Sequence, residues 1–120
     1  MQFKIDNARP VYLQIEEHIR NAVITNIYSP GSRIPAVREL AAELKVNPNT
    51  VQRAMAEFEQ QGLLIANGTL GKLVTNDQTV IDSTKDMAIQ AVSRECVSQF
   101  KSLGISAKEA ARLLLQLEEE

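Results

Sequence analysis

The sequence predicts a mainly α-helical chain with one small β-hairpin. Apolar residues recur at three- and four-residue steps over most of the chain, which is typical of amphipathic helices. Two short apolar runs flank a glycine-containing loop, which is typical of a hairpin. The chain has 120 residues, enough for one domain and a short appendage.

The first two helices lie on either side of a Ser-Pro-Gly-Ser turn at residues 29–32. Helix one is predicted from about Pro10, which suits the first helical position, to Ile27. Helix two is predicted to open at Pro35 and to end near Lys45. The predicted inward faces are Val11, Ile15, Ile19, Ala22 and Val23 in the first helix, and Val37, Leu40, Ala41 and Leu44 in the second.

A third helix is predicted from Pro48 to Gln61, because Asn47 is a favoured N-cap and proline fits the first turn. About three residues separate it from the second helix, which is the spacing of a helix-turn-helix. Its predicted inward face is Val51, Ala54, Met55 and Phe58.

A hairpin is predicted after Gly62, which ends the third helix. Its strands are the apolar runs 63–65 and 73–74, and its loop contains Gly68 and Gly71. Three helices followed by a hairpin indicate a winged helix-turn-helix.

The remaining chain predicts a two-helix tail. Residues 75–79 are polar and predict a linker, so the chain divides into a winged domain, 1–76, and a tail, 77–120. One helix is expected from Val80 to Leu103, where Gly104 stops it. A second is expected to begin at a capping box of Ser106 and Glu109 and to end near Glu118.

Two helices of this size cannot bury their own apolar faces, so the tail is expected to pack on the winged domain, on a second copy of itself or on both. A two-fold dimer is the most economical of these arrangements. Met87 in the tail, like Met55 in the winged domain, is predicted to fill space in a core. The predicted dimer interface is Ala88, Val92, Cys96, Phe100, Leu103, Leu113, Leu114 and Leu117.

Composition argues against several classes of protein. Cys96 is the single cysteine, which excludes a disulfide framework and fits a reducing compartment. Residues 1–6 lack the apolar core of a signal peptide, and no run approaches the roughly 20 residues of a membrane span. The sequence therefore predicts a cytoplasmic protein without a membrane partner.

An enzyme is not expected either. His18 is the single histidine, and no nucleophile–base pair, metal cluster or phosphate-binding loop can be found. The sequence therefore predicts no cofactor, no metal and no catalytic residue.

Charge is distributed unevenly along the chain. Residues 1–76 carry 8 Lys/Arg against 7 Asp/Glu, a net of +1, whereas residues 77–120 carry 5 against 8, a net of −3. A protein with a total charge of −2 can still present one basic face to a phosphate backbone, because binding depends on the local potential.

The third helix carries the candidate contacts to double-stranded DNA. Asn and Gln side chains can pair with adenine in the major groove, and Arg can pair with guanine. Phosphate contacts are expected from hydroxyl, amide and backbone N–H groups at the helix start and from the second helix. The predicted contacts are Arg38, Asn47, Asn49, Thr50, Gln52 and Arg53, with Gly68, Thr69 and Lys72 in the wing. Taken one at a time, each is also explained by an ordinary solvated surface.

Four stretches, at residues 10–15, 30–41, 46–54 and 62–64, resemble the DNA-binding domain of GntR-family bacterial transcription regulators. The similarity covers about residues 10–75 in register. The string Val-Asn-Pro-Asn-Thr-Val at 46–51 and the short helical tail are similar to the YtrA subfamily. This resemblance implies a DNA-binding homodimer that uses its tail as the dimerisation element and lacks the larger effector domain of other members.

The resemblance also implies roles for individual residues. Arg38 corresponds to the family arginine that contacts phosphate or base. Ala36 stands where the family usually has serine, and the wing lacks the arginine that usually precedes its first glycine. Both departures remove potential phosphate contacts.

The leading hypothesis is a homodimeric, sequence-specific transcriptional repressor that reads a palindromic operator with the third helix. The resemblance further implies control of an ABC-type transporter operon, and regulation would require an unidentified small-molecule effector or another signal. The alternative is a protein-interaction module that uses the winged scaffold without specific DNA binding.

Overall fold

The computed structural model describes residues 4–120, except for the side chain of Leu70. Residues 1–3, part of the segment predicted to lack a signal peptide, lie outside the described residues. The helices are α1 (Val11–Ile24), α2 (Val37–Leu44), α3 (Pro48–Gln60), α4 (Gln78–Ser102) and α5 (Ala107–Glu118). The strands β1 (Leu64–Ala66) and β2 (Lys72–Val74) pair in antiparallel register, with Leu64 opposite Val74. The predicted fold class is confirmed.

The core of the winged domain forms where α1 and α2 pack on α3. Each helix contributes the apolar face that its periodicity predicts, and all four predicted inward residues of α3 are buried. The hairpin adds Leu64 and Val74, and the segment before α2 adds Ile34. These contacts leave the opposite side of α3 exposed to solvent.

The ends of α1 and the start of α2 differ from the prediction. The first helix ends at Ile24 rather than at Ile27, because Asn26 has a φ of 65° and leaves the helical conformation. The backbone N–H groups of Ile27 and Tyr28 then both donate to the carbonyl of Ala22, at 2.8 and 3.0 Å. Of the first two residues on the predicted inward face of α1, Val11 is half-buried and Ile15 is buried.

The prolines predicted to open α1 and α2 lie outside these helices, whereas Pro48 is the first residue of α3 as predicted. Pro10 is the N-cap of α1 rather than its first residue. Pro35 precedes α2 by two positions, and Ala36 is the N-cap. The methyl group of Ala36 cannot accept a hydrogen bond, so half of a capping box is present, in which the Ala36 N–H donates to Oε1 of Glu39 at 3.4 Å.

The predicted linker at residues 75–79 is instead a helix start. Thr75 is buried, and its N–H donates to the carbonyl of Leu63 at 2.9 Å. Asp77 caps α4 by accepting from the N–H of Thr79 at 3.0 Å, so the helix begins at Gln78. The Thr79 hydroxyl also donates to this carboxylate, and the hydroxyl and the N–H of Thr79 together lower the pKa of the Asp77 carboxyl group.

Two compact units divide within α4, between Thr84 and Lys85. In the second unit, Gly104 has a φ of +79° and separates the helices as predicted. Ser106 accepts from the N–H of Glu109 at 3.2 Å, which is one half of the predicted capping box of α5, whereas the Glu109 carboxylate pairs with Arg112. Ala110 is buried there.

Large apolar side chains remain exposed along the second unit. Met87 is 71% exposed, so the prediction that it fills a core does not hold within one protomer. Val92, Leu103 and Leu117 are also mostly exposed. No helix within residues 4–120 combines the length and apolar character needed to cross a membrane.

Candidate nucleic-acid interface

The three-residue turn between α2 and α3 fixes the direction of α3. Lys45 ends α2 in the left-handed conformation, with a φ of 58°, although it carries a side chain. Val46 is half-buried, and its N–H donates to the carbonyl of Ala41 at 3.0 Å. Asn47 then begins α3. The turn is therefore held by backbone hydrogen bonds and by packing, as a recognition helix requires.

The backbone N–H groups in the first turn of α3 are hydrogen-bonded to Asn47, the residue that caps the helix. Oδ1 of Asn47 accepts from the N–H of Asn49 at 2.8 Å, and the Asn47 carbonyl accepts from Thr50 and Val51 at 3.0 and 3.4 Å. Pro48 has no N–H. Each of these N–H groups therefore already has an acceptor within the helix start, while phosphate binding by this end of α3 stays a prediction.

The outward face of α3 is polar. Asn49, Gln52 and Ala56 are exposed, and Thr50 is half-buried at the edge of the face. An α-helix of this width fits the major groove, where an amide side chain can donate and accept on one adenine edge. The face therefore has the chemistry of direct base recognition.

Arg53 lies towards α1. Its guanidinium carbon is 4.1 Å from the centre of the Tyr12 ring, a cation–π contact. Glu16 and Glu57 lie near this pair, and burial raises the pKa of Tyr12 and of Glu16, with a further increase from Glu57. Arg53 is thus engaged with the surface of its own protein, a role that sequence analysis missed.

The basic groups near α3 differ in how they are paired. Arg38, the second residue of α2, is exposed and has no ion-pair partner among residues 4–120. Lys45 is exposed at the turn. Arg33, which sequence analysis did not select, lies beside the hairpin, and its guanidinium nitrogen is 3.7 Å from a carboxylate oxygen of Glu39.

The wing carries less available charge than its sequence predicts. The Lys72 ammonium forms a part-buried ion pair with Glu59 of α3, which offsets the charge expected to reach DNA. Gly68 and Thr69 form an exposed 3₁₀ turn at the tip. The hairpin is closed by the Asn67 N–H, which donates to the carbonyl of Gly71 at 2.8 Å.

His18 belongs to the first compact unit, with α3, and Cys96 belongs to the second. His18 is half-buried in α1, and burial lowers the pKa of its imidazole while Glu43 opposes that shift. Cys96 is half-buried in α4. Across the described part of the chain, no three His, Cys, Asp or Glu residues gather in a way that could hold a metal ion.

Comparison with known proteins identifies the family. Residues 11–74 match the model of the gntR family of bacterial regulatory proteins. The uncharacterized HTH-type transcriptional regulator YhcF of Bacillus subtilis is 33% identical over 109 residues, covering 91% of this chain and 90% of its own. The HTH-type transcriptional repressor YtrA of the same organism is 29% identical, covering 94% and 82%. These relatives are regulators rather than enzymes, as predicted.

Solved structures extend the similarity. A GntR family transcriptional regulator from Listeria monocytogenes superposes with a TM-score of 0.83 at 29% identity, covering 97% of this chain and 99% of its own. The AraR DNA-binding domain in complex with operator ORX1 has a TM-score of 0.54 at 26% identity, covering 62% and 92%. The resemblance to YtrA-type regulators is confirmed, and the chain belongs to the GntR family of bacterial transcriptional regulators.

Proposed function

We propose that this regulator is a homodimeric repressor that reads a palindromic operator with α3 in the major groove. The observation that carries the proposal is the exposed polar half of α3, which follows a rigid three-residue turn and bears Asn49 and Gln52. The AraR domain, which shares this fold, was solved on an operator, and this supports DNA as the partner.

The proposed DNA contacts are of two kinds, to base edges and to phosphates. Asn49 and Gln52 read base edges, because they are exposed amides near the start of the helix. Arg38 and Thr50 bind phosphates on either side, and the Asn47 amide adds a donor beside its cap. Gly68 and Thr69 bring the wing backbone close to the duplex. Residues 1–76 would then form the DNA-binding domain.

Arg53 and Lys72 contribute less than their charges suggest. The first is stacked on Tyr12, and the second is paired with Glu59. Both side chains would have to leave an existing partner before they could bind DNA, so the proposal gives them a secondary role.

The tail, residues 77–120, forms the contact with the second subunit in this proposal. Its exposed apolar residues lie on α4 and α5, and a symmetric pair of tails would remove them from water. The proposed contacts are the eight apolar tail residues predicted from sequence, which the described protomer leaves exposed or half-buried. Dimerisation matches two copies of α3 to two half-sites.

Repression and its control are the finer parts of the proposal. The YtrA relative is named a repressor, which supports repression here. Control of a transporter operon is supported by the YtrA-type resemblance. An effector would act by binding the DNA-competent dimer more strongly or more weakly than the incompetent one.

The test compares three single substitutions on full-length protein. Asn49→Ala should weaken binding to a duplex enriched from random sequence by about 1–3 kcal/mol and leave binding to random duplexes unchanged. Arg38→Ala should weaken both and lower the slope of log affinity against log salt by about 1. Gln60→Ala, an exposed amide at the far end of α3, is the matched control.

Three outcomes count against the proposal. Equal losses for Asn49→Ala on enriched and random duplexes would remove base reading by α3. Wild-type DNA affinity in both variants would mean that neither side chain contacts DNA. Weak binding of wild-type protein to every duplex, with no enriched sequence, would favour a protein-interaction module, in which the winged domain serves as a scaffold.

A further inference from the structure

The hairpin has a third strand-like neighbour. Residues 31–34 run antiparallel to β2, since the Ile34 N–H donates to the carbonyl of Lys72 at 3.1 Å and the Val74 N–H donates to the carbonyl of Ser32 at 2.9 Å. Arg33 forms an isolated β-bridge with Leu73. The segment before α2 is therefore part of the wing, although 38 residues of sequence separate Arg33 from Gly71.

The side chain of Arg33 lies beside Gly71, the residue between the tip of the wing and β2. Ile34 is buried, and because neighbouring side chains along a strand alternate, Arg33 lies on the solvent side and is 58% exposed. Its Nε lies 3.8 Å from the position that a Cβ atom would occupy on Gly71. Because Gly71, with a φ of +80°, has no Cβ atom, space remains beside the Arg33 guanidinium.

The partner of Arg33 can be exchanged. Glu39 is the ion-pair partner, at 3.7 Å, and both side chains are more than half exposed. An exposed pair of this kind is weak, because water screens it. A phosphate accepts two parallel N–H bonds from a guanidinium and can therefore replace the carboxylate.

We propose that Arg33 is the phosphate-binding residue of the wing and substitutes in space for the arginine missing from the hairpin sequence. The inference rests on the proposed function. On DNA, the guanidinium leaves Glu39 and binds the sugar–phosphate backbone beside the minor groove. Arg33 adds affinity without selecting a base sequence, because phosphates are the same in every sequence.

The test measures salt-dependent binding of full-length variants by fluorescence anisotropy, on both the enriched duplex and random-sequence duplexes. Arg33→Ala should lower the slope of log affinity against log salt by about 1 and weaken binding by about eightfold at 100 mM salt, equally on both duplexes. Arg33→Lys should restore the slope. Arg112→Ala is the matched control, since Arg112 forms a similarly exposed ion pair with Glu109, at 3.8 Å.

Glu39→Gln gives a second measurement that does not depend on removing Arg33. It keeps an oxygen for the Ala36 N–H and removes the competing charge, so affinity should rise two- to threefold on both duplexes. Arg33→Gln, which keeps a side chain of similar reach, replaces the alanine variant if the latter unfolds.

Each failure identifies what is wrong. If wild-type protein binds neither duplex, the proposed function fails and the inference fails with it. If wild-type protein binds with a steep salt slope that Arg33→Ala leaves unchanged, the inference alone is overturned. A loss confined to the enriched duplex would also overturn it, because Arg33 would then be reading bases.

Discussion

Val92 provides the sharpest test of the tail dimer. The side chain is 66% exposed within one protomer. Complete burial of such a side chain is worth about 1.5–3 kcal/mol, so covering its exposed two thirds contributes about 1–2 kcal/mol. Two-fold symmetry places Val92 in the interface twice, which gives about 2–4 kcal/mol per dimer. Removing that contribution weakens the dimer by about 30- to 1,000-fold.

The variant Val92→Asp removes this contribution and also buries two carboxylates without partners, which costs more. We expect it to be monomeric in sedimentation velocity at concentrations where wild-type protein is dimeric. Gln90→Asp is the matched control, because residues two apart on a helix differ in direction by about 200°. Helical circular dichroism checks that the tail remains folded.

An unchanged dimer in Val92→Asp would refute the assignment of this helix face. A substitution at Phe100, half-buried on the same predicted stripe, then shows whether only Val92 or the whole α4 stripe lies outside the subunit contact. If Phe100→Asp also leaves the dimer intact, the subunit contact lies outside the α4 stripe.

Four further outcomes follow from single contacts. Arg53→Ala and Tyr12→Leu should show a coupling energy of about 0.5–1 kcal/mol in a double-mutant cycle of urea unfolding, since their cation–π contact is exposed; additive losses would contradict it. Glu59→Gln removes the partner of the wing lysine, so random-duplex affinity should rise in anisotropy, whereas unchanged affinity would mean that the ion pair does not restrain the lysine. Ala36→Ser supplies the missing N-cap oxygen of α2 and should raise the free energy of unfolding by about 0.5–1 kcal/mol, seen as a higher Tm. The lowered pKa of His18 means that the folded state disfavours the charged imidazole, so stability should fall as pH drops through 6.5, and His18→Gln should flatten that decline in denaturant titrations at pH 7.5 and 6.

The third helix, α3, is the most predictable element, because its signals are local. Asn47 and Pro48 mark its start, and the apolar period of α3 selects four residues that are all buried. The exposed polar face follows from the same period. Capping and amphipathicity act within one helix, so they can be recognised without knowing the rest of the fold.

Contacts between distant segments could not be predicted. Arg53 meets Tyr12 across 41 positions, and Arg33 meets the hairpin through backbone pairing. Neither contact leaves a periodic signal in the sequence. The composition of the polar stretch that contains Asp77 predicts a linker, whereas the hydrogen bond from Thr79 makes Asp77 a helix cap.

Met87 shows a second limit of predicting burial from the sequence of one chain. Its position in an apolar helix pattern predicts burial, but the pattern does not reveal whether the covering surface belongs to the same chain. Met87 is 71% exposed in one protomer and is not among the eight residues of the proposed dimer interface.

The central claim is that two copies of α3 read two half-sites of one operator. Selection of random duplex DNA on purified full-length protein, followed by salt-dependent binding to the enriched sequence, tests it most directly. We predict an inverted repeat whose half-sites lie about one helical turn, or a multiple of it, apart, bound far more tightly than random DNA. Weak binding at every salt concentration with no enriched sequence, or an enriched single half-site, would contradict the claim.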